Sequence, residues 1–258
     1  MRRTALGTGL AFTLVFASCR PSPQADLSWC APADSRAVAL VRLDSLRALP
    51  PVAAFVELLP PDVRSRASSL LLAWDGSEIL AAAAGQFPQP PAGAVMAGPG
   101  IALIGSPAIT AAALSQFRTG RPGAGALLSS AAELGAGCGI RAAIRGDAAL
   151  PLSGNLANLN RLLRMSESIA LGLRLGGPVE LTARAACRND DDAARMEQTV
   201  RALLLLARAG RPPGQRPDAW SDSVRIARAG RTLTLSLSLT ESEASRLMEG
   251  WLPRPSPR

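Results

Sequence analysis

Apolar and polar residues alternate in short runs along most of this chain, and two stretches about a hundred residues apart repeat the same succession of patterns. The first opens with Ala37-Val38-Ala39-Leu40-Val41-Arg42-Leu43, a strand-like run, and passes through proline into the helical spacing of Val52, Phe55, Val56 and Leu59. Leu70 to Trp74 and Glu78 to Ala84 then flank Asp75-Gly76, a pair whose backbone freedom suits a tight hairpin. The second opens with Gly139 to Arg145, continues with Leu156, Leu159, Leu162 and Leu163 at helical spacing, and ends in two alternating strands around Gly176-Gly177. Ile169, Leu171, Leu173 and Leu175 share one face of the first of these, and Val179, Leu181, Ala183 and Ala185 one face of the second. From strand start to turn is 38 residues in one copy (Ala37 to Asp75) and 37 in the other (Gly139 to Gly176), spacing that argues for duplication.

The copies then diverge and rejoin. In the second, Asn189-Asp190-Asp191-Asp192 opens a long helix with apolar positions at Ala193, Met196, Val200, Leu203, Leu204 and Ala207, and Gly210 stops it. After the Arg211-to-Pro217 loop come a strand at Val224 to Ala227 and a turn at Ala229-Gly230. Next is a strand at Thr232 to Leu239, in which leucine occupies every second position, and Thr240 with Glu243 forms a capping box for a last helix. The first copy offers Ala94 to Ala97, a Gly98-Pro99-Gly100 turn, Ile101 to Ile104 and a helix from about Pro107 to Phe117. Only the long helix lacks a counterpart there, its place being held by Phe87-Pro88-Gln89-Pro90-Pro91. These patterns predict an α+β fold made of two tandem strand-helix-hairpin-(helix)-hairpin-helix units, with antiparallel-dominated sheets and helices packed on one face. The units span 37–118 and 139–250, with a linker at 119–138 and a tail at 251–258. Whether they form two domains or share one sheet is open at this stage.

Ahead of the repeats, Arg2 and Arg3 precede an uncharged, mostly apolar run from Thr4 to Phe16, and the run closes on Phe16-Ala17-Ser18-Cys19. Those residues resemble the lipobox of bacterial lipoproteins, although leucine is usual at the position of Phe16. The run falls short of the roughly 20 apolar residues of a membrane-spanning helix. The resemblance implies that residues 1–18 are a signal peptide, that Cys19 is lipidated, and that 19–36 is a tether to a membrane. Arg20 after the lipidated cysteine, where aspartate retains enteric lipoproteins in the inner membrane, implies sorting to the outer membrane, facing the periplasm.

Charge and composition narrow the function. All 28 cations are arginine against 20 acidic residues, and loss of 1–18 leaves a formal charge of 26 minus 20, or +6. The arginines are scattered and aromatics make up only 3% of the chain, so no nucleic-acid surface is expected. Attraction to anionic lipid is weak and screened by salt. Histidine is absent, which rules out Ser-His-Asp and Cys-His catalysis and removes the commonest metal ligand. Trp29, Trp74, Trp220 and Trp251 are scattered, as packing residues are, rather than clustered as a sugar platform.

The remaining constellations have plain alternatives. Asp190-Asp191-Asp192 offers oxygen ligands to a cation, but the head of a helix is also where negative charge complements the dipole. Asp44 and Asp147 follow the first strand of each copy and could pair for acid/base chemistry, with no nucleophile nearby to support it. Gly98-Pro99-Gly100 and Gly123-Ala124-Gly125 lack the lysine and hydroxyl of a phosphate loop. Leu203 to Leu206 leave their helix apolar on several sides, which suggests burial between layers or contact with a partner. Three cysteines follow Cys19 into an oxidising compartment, and a split βαβ order would place Cys138 beside Cys187 for a disulfide, leaving Cys30 free or paired between molecules; the alternative is that all three are small buried apolar residues. Neither a cofactor nor a metal is implied. The function these features favour is a non-catalytic envelope protein that binds or scaffolds another protein; the alternative is a carrier of an apolar small molecule or lipid held between the two units, and a hydrolase using carboxylates alone comes third.

Overall fold

A computed structural model describes residues 26–47, 56, 59–150, 157–209 and 219–249. The expected signal peptide at 1–18, Cys19, most of the helix predicted around Val52 to Leu59, the loop expected at Arg211 to Pro217, and the tail lie outside the described residues. The first unit contributes strands β1 (Ala37–Arg42), β2 (Ala67–Trp74), β3 (Ile79–Gly85), β4 (Val95–Gly98) and β5 (Ile101–Ile104). The second contributes β6 (Cys138–Arg145), β7 (Ser166–Arg174), β8 (Val179–Cys187), β9 (Arg225–Ala229) and β10 (Thr232–Leu239). The described helices are α1 (Leu43–Arg47), α2 (Pro61–Arg66), α3 (Pro107–Arg118), α4 (Gly125–Ala132), α5 (Ala157–Arg164), α6 (Asp190–Ala209), α7 (Ala219–Ser223) and α8 (Glu241–Glu249).

All ten strands belong to one antiparallel sheet in the order β4-β5-β3-β2-β1-β6-β7-β8-β10-β9. Read outward from the centre, each half has the same strand order, β1-β2-β3-β5-β4 on one side and β6-β7-β8-β10-β9 on the other. β1 and β6 meet antiparallel, with Val38 opposite Ala143 and Ala39 opposite Ala142. An antiparallel central pair with identical order outward is what a two-fold axis normal to the sheet produces. Register repeats as well as order. β2 carries a bulge between Ala67 and Ser69 against β3, and β7 carries one between Ser166 and Ser168 against β8, each next to the pairing with the end of the central strand.

Successive side chains of a strand point to opposite faces, so the pairings assign every strand residue to one of two faces. On the upper face Leu71, Leu80 and Leu103 are fully buried beneath α3, α4 and a 3-10 turn at Leu27–Cys30. Beyond β7 the same face is polar, with Thr182 and Arg184 of β8 and Thr234 and Ser236 of β10, and Glu133 beyond α4 reaches Arg184 at 2.8 Å. On the lower face Leu43, Leu46 and Val63 pack over Val41, Leu70 and Ala83. Further along, Ala193 and Met196 of α6 pack over Ala185 and Leu233. Trp220 of α7 and Ala244 of α8 pack with Val179 and Leu239.

The α+β class and the antiparallel sheet are as the periodicity predicts. In the first half helices lie on both faces, because β2 is apolar on both sides, with Leu70 and Leu71 buried toward opposite faces; in the second half α4 covers the upper face of β6 and β7, and only β8 to β10 carry helices on the lower face alone. The stretch expected to be a linker contains α4, whose Leu127, Leu128 and Ala131 are buried against the sheet. Asp75 shapes its hairpin by accepting from the Ser77 and Glu78 amides at 2.7 and 2.8 Å, which holds its carboxyl below the usual range. The capping box is closed by Thr240 N–H donating to Glu243 at 2.9 Å and Glu243 N–H donating to Thr240 Oγ1 at 3.3 Å.

Candidate functional site

On the lower face, along the line where the halves meet, no described helix contributes a residue to the lining of a concavity in the sheet. Across four strands the pairings set Leu72, Ala39, Ala142 and Leu171 in one row, and Trp74, Ala37, Ile144 and Ile169 in the next. The first row runs large, small, small, large, and its two leucines come from corresponding strands of the two halves. In that row alanine on the central strands and leucine on their neighbours make a trough with a low floor and raised walls. Leu150 and Ile79 add to its rim, and it has a volume of about 300 Å³. Every side chain lining it is apolar, with no titratable group among them. Leu171 is 42% exposed and Ile79 63%, although both belong to strands whose other apolar residues are covered. Such a concavity can hold an apolar ligand by burial of surface.

The acidic candidates do not converge. Asp44 follows β1 and Asp147 follows β6, and because those strands are antiparallel the two aspartates lie beyond opposite ends of the pair, ends that are themselves about 20 Å apart at 3.3 Å per residue. Each is engaged locally, Asp44 with Arg47 at 2.6 Å and Asp147 with Arg145 at 2.8 Å. The proposed acid/base pairing is therefore ruled out by the topology. Asn189, rather than an aspartate, caps α6, its Oδ1 accepting from the Asp192 N–H at 2.7 Å, and the three aspartates occupy the first turn. Among the described residues no group of three or more potential ligands is placed to hold a metal ion. Trp29 packs against Phe117 with ring centroids 6.1 Å apart, and Trp220 is partly buried, so of the tryptophans described only Trp74 lines the trough.

The expected Cys138 to Cys187 disulfide is also corrected. It required β6 and β8 to be neighbours, and β7 lies between them. Cys138 is opposite Arg174 at one end of β7, and Cys187 is opposite Ser166 at the other. Eight residues of strand separate those positions, roughly 26 Å, against the 7 Å limit for bridged Cα atoms. Cys30, Cys138 and Cys187 are free and buried. Burial pushes the Cys30 thiol up to about 12, with the Asp26 carboxylate adding to it, and raises Cys187 in the same sense. Peptide mapping without reductant is expected to return all three unlinked, and Cys30 should react with a thiol reagent only on unfolding. A Cys138–Cys187 linked peptide would overturn the strand register.

Two features were not singled out from sequence. The trough depends on which residues of four strands fall side by side, and its individual alanines carry no signal. The exposed end of α6 was half legible: Leu203, Leu205 and Leu206 are 44, 63 and 68% exposed, so the apolar run is not buried between layers. Among the described residues no helix is long and apolar enough to cross a membrane. No protein-family model and no curated protein matches the chain. Among solved structures it is similar to TP0453 in crystal form I, with 10% identity, 86% of this chain and 98% of that chain covered, and a TM-score of 0.47.

Proposed function

We propose that the chain is a lipoprotein of the bacterial envelope, anchored through lipid on Cys19 to the outer membrane and facing the periplasm, and that it carries an apolar ligand in the midline trough without transforming it. The ligand class is a small apolar molecule or the hydrocarbon chain of a lipid. One observation carries this reading: the wholly apolar concavity where the two halves join, at the lower end of the volumes that small-molecule sites occupy. A second reading, a scaffold that binds another envelope protein, is favoured by Leu203, Leu205 and Leu206 at the end of α6.

Ala142→Phe places an aromatic ring on the floor of the trough. With protein purified from the envelope, native mass spectrometry is expected to find an apolar molecule on the unaltered chain and to lose it in this variant. A brominated fatty acid is expected to quench Trp74 emission, with affinity at least tenfold weaker in Ala142→Phe. Equal quenching in both proteins would remove the carrier reading. The scaffold reading has its own test, because Leu205→Glu with Leu206→Glu should abolish crosslinking to a partner and leave the quenching intact.

A further inference from the structure

We propose that the cleft between α5 and α6 is a binding site for a phosphate-type anion. The proposal does not depend on what occupies the midline trough. Arg161 and Arg164 line one side of the cleft and Arg195, Gln198 and Thr199 the other, around a volume of about 520 Å³. On α5 the two arginines are three residues apart, and on α6 the other three stand at i, i+3 and i+4, so each set shares one helix face. Three guanidinium groups therefore converge from two elements, with the Asp192 carboxylate alone against them on the lining.

Most of the described arginines enter no ion pair, so what sets this place apart is that three of them line one cleft, not that they lack partners. Eight arginines form ion pairs with carboxylates, and on α6 itself Glu197 is shared by Arg201 at 2.8 Å and Arg228 at 2.9 Å. Arg161, Arg164 and Arg195 enter no ion pair among the described residues. Asp192 is itself engaged, accepting from Asn189 Nδ2 at 3.2 Å. Complementing the helix dipole accounts for Arg161 and Arg164, in the last turn of α5, and not for Arg195, which comes from another helix. An anion with several oxygens satisfies all three at once. The planar fork of arginine fits phosphate through two parallel hydrogen bonds, and the Gln198 amide and Thr199 hydroxyl add neutral donors. Free phosphate and the phosphate of a lipid headgroup share this chemistry.

The test uses the full chain and titration calorimetry at constant ionic strength, with inorganic phosphate as one probe and dihexanoyl phosphatidic acid below its micelle concentration as the other. Arg164→Gln with Arg195→Gln removes two guanidinium groups, and Arg225→Gln on the exposed edge strand β9 is the control for net charge. At least one probe is expected to bind, at least tenfold more weakly in the double variant and within twofold in the control. Asp192→Asn should tighten it severalfold by removing the opposing carboxylate. Binding of inorganic phosphate identifies the free anion as ligand, and binding of phosphatidic acid alone identifies a headgroup; both support the site. Absence of binding by either probe, or equal weakening in the Arg225→Gln control, would overturn it.

Discussion

Gly146→Ala is expected to cost about 3 kcal/mol or more of folding stability, an unusually large effect for one methyl group. Gly146 follows β6 and lies against the junction of α5 with β7. A Cβ placed there would fall on the Ser166 carbonyl oxygen and within 2.8 Å of the Leu163 carbonyl oxygen. Both are backbone atoms held by other bonds. Ser166 is fully buried with its hydroxyl donating to Leu163 O at 2.8 Å, and Gly146 N–H donates to Glu167 O at 2.8 Å. Relief therefore means moving the end of a central strand away from its neighbour rather than turning a side chain. Urea unfolding should show a lower midpoint with unchanged slope. Gly125→Ala is the contrast: it begins α4, a Cβ there meets nothing within 4 Å, and the change should be neutral or slightly stabilising. Equal stability of the two variants would show that the Gly146 turn is not packed as described.

Cys19→Ala is expected to abolish lipid attachment completely and leave the chain as unprocessed or soluble precursor. The effect is all-or-none because the thiol is the only atom of the lipobox that can form the thioether, and no other residue of that segment substitutes for it. Labelled fatty acid should enter the unaltered chain and not the variant, and membrane fractionation should follow the label. In this proposal the anchor is the lipid on Cys19, and among the described residues no helix is long and apolar enough to cross a membrane. Label persisting in Cys19→Ala would remove the lipoprotein reading while leaving the trough and the anion site untouched, since both are built from residues far along the chain.

The trough and the duplicated order are connected. Because the two halves meet along β1 and β6, the floor is laid by the same strand twice, and Leu72 and Leu171 wall it from corresponding strands. A single half has only one wall and half a floor. Away from the join, among the described residues, α1, α2 and α6 to α8 pack directly onto the lower face of the sheet.

The sequence by itself determined the elements whose causes are local. Alternating leucine from Leu233 to Leu239 specified a one-face apolar strand, Asp75-Gly76 a hairpin, and Thr240 with Glu243 a capped helix start, because each depends on neighbours a few residues away. It also determined the doubled order of elements. Pairing between distant strands is another matter. That β1 joins β6 antiparallel, making one sheet of two halves, is set by burial of both surfaces at once, and alternation alone carries no partner. The same interaction decided the outcome for the sites. It carried Asp44 away from Asp147 and Cys138 away from Cys187, residues that chain order alone left as possible partners. It also set four unremarkable residues, Leu72, Ala39, Ala142 and Leu171, side by side as an apolar trough. Local chemistry is written within a few residues, whereas a site shared by four strands exists only once their registers are fixed.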